Sequence, residues 1–190
     1  MSRINSRRKG RAFEQAIARD IRHWLSDPCP DCRGLVPACL ECDGTGRVSD
    51  WTVVRNEPRY QCGLDNRAGE FNIIGPFEHP ISWECKDEKA FKLAHLFRSP
   101  LVGPVEDYWA QAVRQAGSVQ RHPILVCKQS RQPPIALMRP VTSRHLVWMA
   151  HRPMARIDVS VDALEWETVV IWRWETLLQV PSIRLMEIGR

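Results

Sequence analysis

The chain lacks any apolar stretch long enough to cross a membrane, and it shows no recognisable secretory signal. We therefore expect a cytosolic protein without a membrane partner. Internal repeats and low-complexity tracts are also absent. The 190 residues suit one domain of ordinary size with room for a small appendage, and the 44% of apolar residues suffices for a core.

The cysteines are odd in number, seven, and without a secretory signal this argues against a disulfide scaffold. Four of them lie within residues 27–47, a segment rich in Pro and Gly that is too small to form a core of its own. Their spacing makes two knuckles, each with two thiolates on one tight turn, which can surround a structural Zn²⁺ tetrahedrally. The alternatives are a redox dithiol and coincidental spacing. The predicted zinc ligands are Cys29, Cys32, Cys39 and Cys42.

Positive charge is concentrated near the start of the chain. Residues 1–24 hold seven arginines and lysines against two acidic residues, so their excess of five (seven minus two) equals the net charge of the whole chain, +5. A basic segment leading into a helix suits contact with a phosphate backbone. The alternative is a solvated, disordered start.

Apolar spacing predicts a helix over residues 11–26, in which only Asp20 interrupts the apolar stripe and after which Pro28 ends the helix. Strands are predicted at 51–55, 72–74, 81–86, 123–127 and 134–138, with a helix at 108–117. This order implies an α/β layer structure. We divide the chain into a basic arm with the first helix (1–26), the zinc insert (27–47), a core (48–140) and a C-terminal extension (141–190).

The segment 69–86 carries the strongest chemical signal. Side chains alternate across a strand, so Ser82, Glu84 and Lys86 share one face. A carboxylate that can hold a divalent cation, beside a lysine that can position water, is typical of metal-dependent phosphodiesterases. Alone the pattern is weak, since surface strands of ordinary α/β domains also alternate charged residues.

Other segments strengthen this interpretation because they occur in a recognisable order. They are residues 8–14 with Arg-Lys-Gly and Glu14, 53–55 (VVR), 71–75 (FNIIG), 83–86 (WECK) and 123–126 (PILV). In this order the chain resembles the archaeal-type Holliday junction resolvases and their phage relatives, within the PD-(D/E)xK nuclease superfamily. The resemblance covers residues 7–130. It implies a restriction-endonuclease-like core, a mixed central β-sheet flanked by helices. The zinc-knuckle insertion and the C-terminal third lie outside the resemblance.

The resemblance also implies roles for individual residues. Glu84 and the backbone carbonyl of Cys85 would bind Mg²⁺ or Mn²⁺, and Lys86 would orient the attacking water and stabilise charge on the phosphate. The residue at position 72 would bridge the metal, and Glu14 would reach in from the first helix. Gln111 or Gln115 would be the helix glutamine of the site. The residues implied to grip DNA phosphates are Arg7, Arg8, Lys9, Arg11 and Arg55.

Position 72 departs from the pattern, because it holds Asn72 where the resemblance implies an aspartate. An amide offers an oxygen but no charge, so a hard cation binds it more weakly. Three explanations compete: an inactivated variant, replacement of the missing carboxylate by Glu70, and a natural binder that has lost cleavage. The first is favoured, since every other element of the site is present.

The function expected from the resemblance is a metal-dependent, structure-selective DNA endonuclease that resolves four-way (Holliday) junctions, with Asn72 marking a variant of reduced activity. Such resolvases act as homodimers, and residues 141–190 are expected to supply the interface. The setting would be a bacterial, archaeal or phage-infected host cell. The alternatives are another PD-(D/E)xK repair or packaging nuclease and a non-catalytic zinc-containing DNA-binding protein.

Overall fold

Helix α1, Arg3–Trp24, opens the fold and begins earlier than predicted, because arginine and lysine favour the helix and extend it through the basic arm. In this computed structural model the described residues are 3–28, 39–40, 47–56, 69–76, 78–89, 91–97, 104–146, 154–160 and 166–180, with only the backbone for residues 3–7, 145–146, 160 and 166. Phe13, Ile17 and Ile21 are buried as the spacing predicts. Asp20, the polar interruption, accepts a hydrogen bond from the Trp174 indole (Nε1 to Oδ2, 2.8 Å).

The predicted zinc insert is closed at its base by a short antiparallel ribbon. Strand β1, Asp27–Pro28, pairs with β2, Arg47–Val48. Arg47 Nε also donates to Ser26 Oγ (2.7 Å). The cysteine-rich segment therefore leaves and re-enters the fold at one point, as an insertion does.

Strands β3, Thr52–Arg55, and β4, Phe71–Ile74, form an antiparallel pair of their own. Strand β5, Ile81–Lys86, lies in a different sheet. The strands predicted at 72–74 and 81–86 therefore do not belong to one sheet. In the structure they are linked just before β4, where the Glu70 N–H donates to the Trp83 carbonyl (2.6 Å).

Gly69 makes this close approach sterically feasible. Its φ is +70°, and a Cβ there would lie 2.2 Å from the Trp83 carbonyl oxygen. A residue with a side chain would be strained by the dihedral and would clash with backbone that cannot yield. Only glycine therefore lets the chain come this close to β5.

The central sheet has five strands in the order β5-β6-β7-β9-β8. Strand β6, His122–Cys127, is parallel to β5, and the connection between them includes a short 3₁₀ helix, Leu93–Phe97, and helix α2, Val105–Gly117. Strand β7, Ile135–Met138, pairs antiparallel with β6, and α3, Pro140–Leu146, follows. This mixed sheet with flanking helices confirms the α/β prediction and fits a restriction-endonuclease-like core. No described helix is long and apolar enough to span a membrane.

The C-terminal third is part of this core, and the predicted boundary at residue 140 is wrong for the described part of it. Strand β8, Ala155–Ser160, pairs with β9, Trp166–Arg173, and β9 pairs with β7. Helix α4, Trp174–Leu177, then buries Trp174 and Leu177. The weak alternation of β9 concealed this role, because residues 169–172 are all buried and so point apolar side chains to both faces of the sheet.

Two apolar clusters cover the two faces of the sheet. One face packs against α1, the β3–β4 hairpin and α4, and includes Ile124 and Val126. The other packs against α2 and includes Leu125 and Cys127. Alternate residues of β6 thus serve opposite clusters, and side chains of β5 in register with Leu125 point towards α2.

His79 sits in the first cluster, fully buried against the indoles of Trp51 (ring centroids 5.6 Å apart) and Trp83. The Ile81 N–H donates to Nδ1 (3.3 Å), and burial lowers the pKa of His79 from 6.5 to about 4. A base with a lowered folded pKa contributes stability above its unfolded pKa and loses it as the pH falls. We predict that acidification from pH 6.5 to 4 costs up to about 3 kcal/mol of the free energy of unfolding through this side chain.

The variant His79→Asn tests this prediction, because its amide can replace Nδ1 but does not titrate. Loss of packing should make it less stable than the parent at neutral pH. The dependence of its unfolding free energy on pH, measured by urea denaturation, should be flatter between pH 6.5 and 4. An unchanged slope would show that other groups govern the acid sensitivity.

Candidate active site

The site is centred on β5, where Glu84 and Lys86 point to the same side of the sheet, as predicted. Lys86 Nζ lies 2.6 Å from Glu84 Oε1. The Glu84 side chain is 1% exposed and that of Lys86 is 15% exposed. This pair is therefore not a set of surface charges on an ordinary strand, because ion pairs of that kind remain solvated.

Helix α2 covers this pair with polar side chains. Gln111 Nε2 donates to Glu84 Oε1 (2.8 Å). Gln115, one turn later, lies close enough to the same carboxylate to lower its pKa. Lys86 Nζ is 5.4 Å from the centre of the Tyr108 ring, whose hydroxyl donates to Glu88. Both glutamines considered from the sequence thus face Glu84.

Glu70 brings a second buried carboxylate to the site. It is 6% exposed and follows Gly69 at the point where the chain meets β5. Burial and repulsion from the carboxylates of Glu84 and Glu14 raise the pKa of Glu70 from 4.5 to about 8, against the opposing attraction of Arg55 and Lys86. The acidic groups of Glu14, Glu70 and Glu84 are therefore close enough to influence one another's protonation.

Arg55 stands between two of these acidic groups. Its Nε forms an ion pair with Glu14, and its Nη2 lies 3.9 Å from Glu70 Oε2. Glu14 projects from α1 towards this arginine, so the first helix does reach the site as predicted. Arg55, expected to grip phosphate, instead faces the carboxylates in this structure.

Asn72 has a different environment. It lies opposite Val54 in the hairpin, and cross-strand partners in an antiparallel pair share a face. Val54 is exposed and Asn72 is half-buried, whereas Phe71 and Ile73 point into the core. The Asn72 side chain has no hydrogen bond within the part of the chain that the structure describes.

The charges of Glu84 and Lys86 shift each other's pKa. Burial raises the pKa of Glu84, and the ammonium of Lys86 reduces this shift without cancelling it. Burial lowers the pKa of Lys86, but the attraction of Glu84, Glu70 and Glu88 together outweighs burial and leaves that pKa above its ordinary value. Lys86 is therefore protonated at neutral pH and can donate hydrogen bonds.

The donor atoms present fit a divalent cation that keeps much of its water. No three Asp, Glu, His or Cys side chains converge into a ready-made metal site among the described residues. Glu84 Oε2, however, is buried and has no hydrogen-bond partner in that part of the chain. Mg²⁺ is commonly held by one or two carboxylates and several waters, so Glu84 and Glu70 suit it.

The other residues predicted to contact DNA or the metal differ in burial and in their partners. Lys9 forms an ion pair with Asp87 (3.0 Å), while Arg8 and Arg11 are exposed on α1. The Arg7 side chain lies outside the described residues. The Cys85 side chain packs in the apolar cluster behind the sheet, which leaves only its backbone carbonyl for the predicted role.

Of the predicted zinc ligands, only Cys39 is described, and it is half-buried. Cys29, Cys32 and Cys42 lie outside the described residues, so the zinc site stays a prediction.

Sequence reasoning missed the residues that hold the site in place. Asn56, 3% exposed, donates from Nδ2 to the Gly69 carbonyl (3.1 Å), and its N–H donates to the Glu70 carbonyl (2.8 Å). Asp87, whose side chain is 4% exposed, anchors α1 to the end of β5 through Lys9. In the sequence, the signals for these contacts were the Gly69-Glu70 dipeptide and the acidic residues Asp87 and Glu88 directly after Lys86.

Comparison with known proteins supports the interpretation of this geometry. A family model described as "Phage putative PDDEXK endonuclease" matches residues 5–186, and thus covers the C-terminal strands as well as the site. Searches of curated proteins and of solved structures found no match. The matched segment is nearly the whole chain and includes β5 with Glu84 and Lys86. The chain therefore belongs to this phage PDDEXK endonuclease family.

Proposed function

We propose that this nuclease hydrolyses DNA phosphodiester bonds with a divalent cation held by Glu70 and Glu84, and that Glu70 supplies the carboxylate missing at Asn72. The observation that carries the proposal is the convergence of two buried carboxylates with Lys86 and Gln111 beside the α2 helix. Asn72 shares the hairpin face of exposed Val54, which favours Glu70 over the idea of an inactivated site.

Each side chain has a defined task in this proposal. The bound cation, Mg²⁺ or Mn²⁺, would neutralise negative charge on the phosphate. Glu84 is held by Gln111, which fixes the orientation of its carboxylate. Lys86, protonated, donates hydrogen bonds to the attacking water and to the phosphate oxygens as charge develops on them. Glu14 remains a further carboxylate at the edge of the site, and the Cys85 carbonyl is the proposed backbone ligand.

The roles of positions 70 and 72 can be separated by substitution. Glu70→Gln should reduce cleavage on the order of 100-fold or more, because it removes an anionic ligand that stabilises the cation. The fold should tolerate the change, since the raised pKa of about 8 means that Glu70 is already neutral at pH 7 without metal. Asn72→Asp should change cleavage little. The measurement is the nicking of labelled duplex and junction DNA with Mg²⁺.

Glu84→Ala and Lys86→Ala serve as reference variants, which should abolish cleavage while DNA binding persists. Strong cleavage that appears only with Asn72→Asp would overturn the assignment of Glu70 and restore the inactivated-variant explanation. Metal-dependent cleavage by neither the parent nor Asn72→Asp would favour the non-catalytic DNA-binding alternative.

The proposed substrate is branched DNA, on the basis of the ordered resemblance to junction resolvases. Resolution needs two symmetric nicks, so the proposal includes a homodimer. With Mg²⁺, we expect paired cleavage of a four-way junction and little cleavage of a linear duplex with the same arms. Gel analysis of both products, with light scattering for the oligomeric state, checks this. Equal cleavage of both substrates would point instead to another repair or packaging nuclease.

We also propose that Cys29, Cys32, Cys39 and Cys42 hold one structural Zn²⁺ in the insert. The closed base formed by β1 and β2 supports an insert with its own fold-stabilising centre. Elemental analysis of purified protein should give one zinc per chain, and Cys32→Ser with Cys42→Ser should lose it. Because the proposed nuclease site lies on other elements, the double variant should retain a larger fraction of its Glu84-dependent cleavage than of its zinc. Full zinc retention by the double variant would refute this ligand set.

A further inference from the structure

The exposed face of α1 carries a row of arginines that extends beyond the residues already implied in DNA contact. At 100° per residue, Arg8, Arg11, Arg19 and Arg22 fall within an arc of about 80°. All four are exposed, and Gln15 completes the row. We call these four arginines the basic stripe. Phe13, Ile17 and Ile21 lie on the opposite, buried side of the helix, so the stripe faces solvent.

Acidic side chains of the described residues leave the stripe unneutralised. The two acidic residues between Arg8 and Arg22 lie outside the stripe, and each contacts another residue. Glu14 forms an ion pair with Arg55, and Asp20 accepts a hydrogen bond from the Trp174 indole. Arg8, Arg11 and Arg19 form no ion pair within the part of the chain that the structure describes. A solvated face stabilised by salt bridges would alternate in sign along the helix, and this one does not.

The stripe leads to the candidate active site through a groove. A groove of about 630 Å³ lies between α1 and β3, and its lining includes Arg19, Arg22 and Arg55 with Glu14. Glu14 is in turn close enough to Glu70 and Glu84 to raise the pKa of each. The groove therefore reaches Arg55, whose Nη2 lies 3.9 Å from Glu70 Oε2 at the edge of the candidate site.

The dimensions suit duplex DNA. Arg8 and Arg22 are fourteen positions apart, so the stripe is about 21 Å long at 1.5 Å per residue. One DNA strand presents a phosphate about every 3.4 Å along the axis, so this length faces about six phosphates. The four guanidinium groups can therefore each reach one.

We propose that the basic stripe is the binding track for the phosphate backbone of a DNA arm that flanks the cleavage site, with Arg19 and Arg22 as its distal contacts. The proposal rests on the function proposed above, because it assigns the same site its substrate path. Binding along this track would depend on charge and not on base sequence, because contacts to phosphates do not read the bases.

The test is DNA binding by the full chain without metal, so that cleavage does not enter. Fluorescence anisotropy with a short labelled duplex, over a range of salt concentrations, measures the slope of log K against log salt. Arg19→Gln with Arg22→Gln should weaken binding and reduce this slope by about two, because each phosphate that an arginine neutralises adds about 0.9 to it. Arg19→Lys with Arg22→Lys should retain most of the slope.

The matched control is Arg144→Gln with Arg156→Gln, which removes the same charge. Both arginines are exposed, on α3 and on β8, and β8 is the sheet edge opposite to β5. This variant should bind like the parent. Arg22 Nη2 donates to the Val53 carbonyl (3.1 Å), so replacing Arg22 also removes a hydrogen bond within the fold. The single variant Arg19→Gln leaves this bond intact and should change the slope by about one.

The outcomes separate this proposal from the nuclease proposal. Slopes equal to that of the parent in all Arg19 and Arg22 variants would overturn the track, even if the parent cleaves DNA. An equal reduction of the slope in the control would show a general charge effect and would also overturn it. A parent that neither binds nor cleaves DNA would end both proposals, and a stripe-dependent slope for duplex RNA alone would refute the choice of partner.

Discussion

The contact between Gly69-Glu70 and the Trp83 carbonyl determines the geometry of the site. It is the backbone hydrogen bond that ties the β3–β4 hairpin to β5, and it exists because position 69 has no Cβ. Asn56 secures the same point from the end of β3 through two further hydrogen bonds. Together these contacts carry Glu70 into the interior next to Glu84. Burying two acidic side chains near each other is unfavourable, so the backbone must hold Glu70 in place.

The charge balance around these carboxylates is consistent with a cation site. Lys86 and Arg55 both approach acidic side chains, but their attraction does not fully offset burial and the repulsion from Glu84 and Glu14, which together raise the pKa of Glu70 to about 8. A divalent cation would complete the compensation. The basic stripe adds four exposed arginines on α1, the helix that also carries Glu14.

The local features of the core could be predicted from the sequence because they depend on periodicity. The face shared by Glu84 and Lys86 follows from strand alternation, the burial of Ile17 and Ile21 from helical spacing, and the glutamines of α2 from their order in the chain. The early start of α1 was missed because propensity favoured a helix where charge suggested a loose arm. The role of β8 and β9 was missed because sheet order depends on contacts between distant segments.

The sequence by itself determined the chemistry of the site: a glutamate and a lysine on one strand face, an adjacent glutamine helix and a basic first helix. Only the tertiary structure decided which residue accompanies Glu84, because Glu70 and Asn72 are two residues apart and alternation alone places both on one face. The close approach at Gly69 draws the chain towards β5 at Glu70, while Asn72 remains in the hairpin opposite Val54. That choice rests on a steric condition between segments fourteen residues apart, Gly69 and Trp83, which no local pattern encodes.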